Sequence, residues 1–230
     1  MSLLVDSARW LASPVHYQGS DAIQIRMLEH LEMSGLAVAV AAAIALPVGL
    51  YLGHTGRFAF VAVSVANIGR AVPSFAVLGL ALPPALSLGL GLGFWPTVIA
   101  LIPLAIPPML TNAYVGTREV DRDVIEAARG MGLSEPGILR RIEVPLALPL
   151  VLAGVRTSAV NVVATATLGA VVASGGLGRY IVDGFALREY DRLLAGAILV
   201  ALLAIVVEVV FGTFERLATS PGLRTEAATL

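Results

Sequence analysis

Long apolar runs separated by short polar connectors dominate this chain, and the length of those runs carries the first structural information. A helix needs about 20 mainly apolar residues to cross the hydrocarbon core of a bilayer. Five stretches reach that length: 33–53, 58–82, 95–116, 144–172 and 193–214. The connectors are 54–57, 83–94, 117–143 and 173–192. The second run contains Arg70 and Pro73, so its alternative reading is two shorter segments, 58–72 and 74–92, and six spans instead of five. The pattern predicts an all-α integral membrane protein. Residues 1–32 mix charged and polar positions without the early apolar core of a signal peptide. They are expected to form a partly amphipathic leader on the membrane surface. Residues 33–217 then form the transmembrane domain, and 218–230 a tail.

The connector 117–143 is the densest in basic residues, with Arg118, Arg122, Arg129, Arg140 and Arg141. The positive-inside rule places it in the cytoplasm. With five spans, the 54–57 turn and the C-terminal tail lie on the same side, and the N-terminus, 83–94 and 173–192 lie outside. Pro47, Pro73, Pro103, Pro107, Pro108 and Pro149 fall inside the apolar runs. Each removes an internal hydrogen bond, which a membrane tolerates where neighbours satisfy the freed carbonyl. Together they suggest a bundle that bends or surrounds a path. Gly49-x-x-x-Gly53 and Gly89-x-x-x-Gly93 fit close helix approach, although such matches are expected by chance among 23 glycines.

Composition agrees and narrows the function. Apolar residues make up 57% of the chain and charged residues 13%, far from the soluble average of about half and a quarter; the mean hydropathy is +0.87. A net charge of -1 gives no nucleic-acid footprint. All 15 basic residues are arginine, and without lysine the chain cannot supply the phosphate-binding P-loop. If ATP drives this protein, the ATPase is another polypeptide. The absence of cysteine removes disulfides, thiolate metal sites and cysteine nucleophiles. His16, His30 and His54 show no metal-ligand spacing and are expected to be interfacial residues.

Within the basic connector, Val124, Ala127/Ala128 and Met131 recur at helical steps. Asp121 and Asp123 favour the helix N-terminus, Gly130 and Gly132 stop it, and Ser134 followed by Pro136 starts a second short helix. The expected product is a helical hairpin leading into a span at Pro145. Two adjacent alanines let a partner approach the backbone, Val124 and Met131 supply apolar anchors, and Glu126 and Arg129 supply rim contacts.

The same stretch, Glu126-Ala127-Ala128, three residues, Gly132, nine residues, then Ile142-x-Val144-Pro145, resembles the EAA loop of ATP-binding-cassette (ABC) importer permeases. That pattern is EAA-x3-G-x9-I-x-L-P, and the one departure is Val144. Other stretches resemble the osmoprotectant branch of that family, whose solutes are glycine betaine, carnitine, choline and similar quaternary amines. These are Arg70-Ala-Val-Pro-Ser-Phe-Ala-Val-Leu-Gly79, Leu146-Ala-Leu-Pro-Leu-Val-Leu-Ala-Gly-Val-Arg-Thr157, Thr165-Ala-Thr-Leu-Gly169 and Ser174-Gly-Gly-Leu-Gly178. Arg70 stands where the branch usually has a neutral polar residue. The likeness runs from about Leu31 to Phe214. It implies a type I importer permease fold and a multi-pass protein of a bacterial or archaeal cell membrane. It also implies two ABC ATPase subunits carrying ATP and Mg, a second permease (identical or paralogous) and an external solute-binding protein. The coupling loop, 117–144, would dock on the ATPase through Val124, Glu126, Ala127, Ala128, Arg129, Met131 and Gly132. This chain itself would bind no cofactor and do no covalent chemistry.

Arg70 and Arg156 lie about 15 Å deep from the predicted cytoplasmic edges at 1.5 Å per residue. A charge at that depth costs at least ~2.5 kcal/mol and should face the bundle interior or snorkel. Asn67, Arg70, Asn161, Thr165 and Thr167 are the candidate lining of a translocation path, and interhelical hydrogen bonding is the competing reading. Arg156 is read as packing, with Glu208 as an interfacial residue or arginine partner. The chain has only Trp10 and Trp95 and shows no aromatic cage for a quaternary amine, so selectivity is expected in the binding protein. The alternative solute is an amino acid such as methionine. An ion-coupled secondary transporter would need in-span acids, and a membrane-embedded protease a Ser/His pair or paired aspartates at depth; neither pattern is present.

Overall fold

Pro73 decides the largest departure from the expected layout. Every described element is helical in the computed structural model, which describes residues 2–57, 60, 64, 69 and 71–219. In order these are α1 (Ser2–Ala12), a 3-10 turn (Pro14–Tyr17), α2 (Ile23–Thr55), α3 (Ser74–Ser87), α4 (Phe94–Arg118), α5 (Arg122–Gly130) and α6 (Glu135–Ile138). A π turn (Leu139–Glu143), α7 (Val144–Thr165), a 3-10 segment (Ala166–Val172), α8 (Gly178–Leu187) and α9 (Tyr190–Ala218) follow. Among the described residues four runs are long and apolar enough to span a membrane: α2, α4, the continuous Glu135–Val172 and α9. The expected run 58–82 is not one helix. The chain leaves helical geometry at Val72 and resumes at Ser74, with Pro73 at φ -59°, ψ 127° between them. Proline has no N–H to donate and forces the residue before it out of the helical region. The division into two segments is therefore the one adopted at that point. α3 stops at Ser87, short of the expected Leu92, where Gly89, Gly91 and Gly93 all take left-handed φ of 72°, 72° and 90°. Asn67 and Arg70 lie outside the described residues.

The other five prolines do not break their helices. Pro47, Pro103, Pro107, Pro108 and Pro149 all sit inside continuous helices. α2 also begins ten residues before the expected start because its polar first turns find partners. Arg26 pairs with Asp21 and Glu29. The Glu29 carboxylate accepts from the Gly176 N–H at 2.8 Å. His30 is fully buried, and its Nε2–H donates to the Val163 carbonyl at 2.8 Å. The expected interfacial histidine is thus a core residue tying α2 to α7.

Small side chains determine how the long helices pack. Ala37, Ala41, Ala45, Gly49 and Gly53 form an unbroken i+4 stripe on α2, all buried. Ala105, Met109 and Ala113 of α4 are fully buried too. A Cβ on Gly49 would sit 2.7 Å from the Ala113 Cβ and 2.8 Å from the Leu110 carbonyl oxygen, and one on Gly53 would sit 2.6 Å from the Thr117 Cβ. In lipid there is no hydrophobic drive between helices, so association depends on such close backbone contact. The Gly49–Gly53 pair is used this way; Gly89 and Gly93 are turn residues. α7 closes on α4 by the same device. Gly154 lies under Asn112 and the Pro108 carbonyl, and the buried Ser158 hydroxyl donates to the Ala105 carbonyl at 2.7 Å. On α9, Leu202, Ile205, Val206, Val209 and Val210 are exposed, as a lipid-facing surface should be.

Gly49→Ala should therefore separate α2 from α4 and cost about 1–3 kcal/mol, the usual range for overpacking. Gly79→Ala, where a Cβ would meet nothing within 4 Å, is the control. Unfolding of the two variants in detergent should show a clear loss for Gly49→Ala and none for Gly79→Ala.

Candidate coupling hairpin and intramembrane cavity

The hairpin forms as its caps require. The Asp121 carboxylate accepts from the Asp123 N–H at 2.9 Å, satisfying one free donor of the first turn. The helix runs through Gly130, and Gly132 alone provides the reversal, at φ 85°. Its N–H donates to the Arg129 carbonyl at 2.9 Å, and the Leu133 N–H to the Ala128 carbonyl at 3.1 Å. This pair of bonds closes a Schellman cap, with glycine at the left-handed position. Ser134 occupies the N-cap position of α6 but its side chain makes no capping bond, and Pro136 sits in the first turn.

α5 presents two apolar stripes. Val124, Ala127 and Met131 lie on the exposed side, with Met131 75% and Val124 43% exposed. Ile125 and Ala128 point inward against Ile138, bordered by Val120, Leu133 and Ile142. This corrects the sequence expectation for Ala128. It does not offer a small surface to a partner; its methyl is fully buried in the hairpin's own core, and its smallness lets α5 approach α6. Arg129 is committed within the hairpin, through Nε and Nη2 to the two carboxylate oxygens of Glu135 at 2.7 and 3.0 Å. That hydrogen bonding holds the Glu135 carboxyl below its ordinary range and raises Arg129. The tie is at full strength above the ordinary carboxylate range and is lost as pH falls through the lowered Glu135 value. Glu126 is exposed on the same helix.

The sequence missed how the hairpin meets α2. His54, near the end of α2, has Nδ1 2.5 Å from Glu143 Oε2 and Nε2 3.4 Å from Glu135 Oε2. Glu143 is buried at the end of the π turn. Partners 81 and 89 positions away in the chain leave no local spacing to read.

Deeper in the bundle, α3, α4 and α7 border an open cavity of about 620 Å³, lined by Gly69, Pro73, Ser74, Pro107, Asn161 and Thr165 among others. Small-ligand pockets fall in the range of about 300–1,000 Å³. Asn161 and Thr165, two of the candidate path residues, lie together on its α7 wall. Thr167 does not: its hydroxyl donates to the Ala164 carbonyl at 2.8 Å, and its backbone lies against Gly178. Arg156 faces α9, 3.5 Å from Glu208 and 3.2 Å from Glu215, so it is a paired packing residue. No aromatic side chain lines the cavity among the described residues. At the opposite end from the hairpin, Trp10 and Tyr180 meet edge to face at 5.2 Å. Arg192 already lies over the Tyr180 ring at 5.8 Å. The Tyr180 hydroxyl donates to the Asp21 carbonyl at 2.5 Å, and burial pushes its phenol up to about 12. Among the described residues no His, Asp and Glu side chains form a group that would hold a metal ion.

Residues 45–219 match the family model described as binding-protein-dependent transport system inner membrane component. The chain is 37% identical over 200 residues to the carnitine transport permease protein OpuCB of Listeria monocytogenes, covering 87% of this chain and 89% of the relative. It is 34% identical over 196 residues to the glycine betaine/carnitine/choline transport system permease protein OpuCB of Bacillus subtilis, covering 85% and 88%. It is 30% identical over 212 residues to the osmoprotectant import permease protein OsmW of Salmonella typhimurium, covering 91% and 99%. Among solved structures, an inward-facing form of the MetNI methionine ABC transporter superposes with a TM-score of 0.74 at 23% identity, over 86% of this chain and 96% of that one.

Ala128→Leu should overfill the hairpin core, again at about 1–3 kcal/mol, which raises amide exchange across 121–142 by roughly tenfold or more. Ala127→Leu, on the exposed side, should leave exchange unchanged. Hydrogen-exchange mass spectrometry on the two variants makes the comparison.

Proposed function

The chain belongs to the family of binding-protein-dependent transport system inner membrane components, and from that premise we propose that it forms the translocation path of an ATP-driven importer for a quaternary-amine osmolyte. Its type I importer permease fold places a helical bundle around the 620 Å³ cavity. The observation that carries the coupling role is the exposed Val124–Ala127–Met131 stripe on a short, well-capped helix standing outside the four long helices. An apolar stripe that its own fold leaves uncovered marks a surface for a partner. The partner we assign to it is the ATPase, which is a separate polypeptide because this chain has no lysine from which to build a P-loop.

In this reading the hairpin, the end of α2 and the C-terminal tail face the cytoplasm, and the turn at 173–177 faces outward. ATP-driven closure of two ATPase subunits moves the hairpins of two permease subunits together, and the cavity between α3, α4 and α7 changes the side to which it opens. An external binding protein delivers the solute. The relatives named for carnitine, glycine betaine, choline and osmoprotectants support a quaternary amine. The likeness to the methionine transporter, at 23% identity, supports the fold and does not bear on the solute. Among the described residues the cavity shows no aromatic cage; in this reading the binding protein sets selectivity and the permease offers Asn161 and Thr165 as weak polar contacts. A weak site suits a path that must release what it accepts.

Uptake of labelled glycine betaine, choline and carnitine into vesicles holding the whole complex tests the solute class. Accumulation dependent on ATP should appear with at least one of the three and be absent with methionine; the reverse pattern would replace the assignment. Met131→Asp tests the coupling surface. A docking anchor is worth about 2 kcal/mol or more, roughly a thirty-fold loss of affinity. Co-purification of the ATPase should fall accordingly while permease abundance in the membrane holds.

A further inference from the structure

Resting on the coupling role just proposed for the hairpin, we propose that His54 is a positioning residue that clamps the hairpin to the α2–α4 pair, so that hairpin and spans move as one body. The hairpin is joined through the chain to α4 by residues 119–121 and to α7 by the π turn. Among the described residues it is also tied to α2 by non-bonded contacts, and the His54 imidazole makes two of them. His54 has a side chain 11% exposed. Its two ring nitrogens face the π turn and α6 through Glu143 and Glu135, and Glu135 carries the contact on to α5 through Arg129. A carboxylate accepts, so what Glu143 requires across the 2.5 Å contact is a donor on the α2 side, and the imidazole can supply it.

Two features show that this contact is built and is not a chance surface pairing. The Glu143 side chain is 6% exposed, and a buried carboxylate left without a donor is costly. Glu143 also closes the π turn, Leu139–Glu143. Such turns are rare and recur at functional sites. One inserted residue rotates everything beyond it by about 100° relative to an unbroken α-helix, so the turn sets the heading of Glu143 and of α7 together. On the other side, Gly53 lies against Thr117 of α4, which fixes the end of α2 that carries His54. A push on α5 therefore reaches α2 and α4 through the imidazole without loss to local bending.

This chain contains no cysteine, so spin labels can be placed freely. In the assembled importer in nanodiscs, Ile44→Cys on α2 and Ser134→Cys on the hairpin, both exposed, report the clamp. Their separation is measured by double electron–electron resonance without nucleotide and with ATP–vanadate. The unmodified His54 background should give one narrow distance that is the same in both states. His54→Ala should widen the distribution at least twofold and make it depend on nucleotide. Glu143→Ala, which removes the same bond from the other side, should do likewise, and His54→Gln, whose amide can still donate to Glu143, should restore the narrow distance. A second pair, Ser134→Cys with Leu187→Cys on α8, reports movement of the hairpin itself. If that distance ignores nucleotide in the His54 background, the coupling role of the hairpin falls. If it responds while His54→Ala and Glu143→Ala keep the narrow Ile44–Ser134 distance, the coupling role stands and the clamp is overturned.

Discussion

Close contact between α2 and α4 is the constraint on which the other features depend. Two helices in lipid gain little from hiding apolar surface, because the solvent is apolar as well. What holds them is dispersion over many short contacts, and those require the backbones to come together. The stripe Ala37–Ala41–Ala45–Gly49–Gly53 provides this over five turns. Pro47 lies on the exposed side of the same continuous helix, away from this contact. The contact also fixes the end of α4 from which the hairpin leaves and the end of α2 that the hairpin touches.

The two candidate sites have opposite physical character, and the difference suits their tasks. The hairpin is small, its first helix is capped at both ends, and it is braced by its own Ile125–Ala128–Ile138 core. The cavity is bounded by the helix restart at Pro73, by Pro107 and by Thr165, where α7 passes into a 3-10 segment. Those are places where helical hydrogen bonding is interrupted or reshaped, and where a bundle rearranges at least cost. A braced hairpin joined to a chamber walled by such breaks fits the coupling role proposed for this chain.

Much of this was legible in the sequence because membrane length and turn chemistry are local properties. The long spans, the hairpin, its Asp121 start and its Gly132 reversal all follow from neighbouring residues. Pro73 was visible as a break, but periodicity alone did not decide between one helix and two. Ala128 was read in the right helix with the wrong heading, because a two-residue Ala pair cannot say which member faces inward until Ile138 is placed opposite. His30, His54 and Glu29 were not legible as ties at all. Each finds its partner on a distant segment, at Val163, Glu143 and Gly176, and a single sequence carries no record of such pairings. Asn161 and Thr165 sit one helical turn apart on α7 and border the same cavity, whereas Thr167 falls where the helix tightens to 3-10 geometry and its side chain turns back onto its own backbone.

Glu29 and His54 stand 25 positions apart on α2, about 37 Å at 1.5 Å per residue, against a hydrocarbon core of about 30 Å. One is held by the turn at Gly176 and the other by the π turn at Glu143. An unattached helix of this length adapts to a thinner bilayer by tilting. α2 cannot tilt without pulling on both attachments, so it behaves as a ruler fixed at its two ends. A change in lipid thickness is then felt as strain at the turn on one face and at the hairpin on the other, which gives the surrounding membrane a mechanical hold on both ends of the machine.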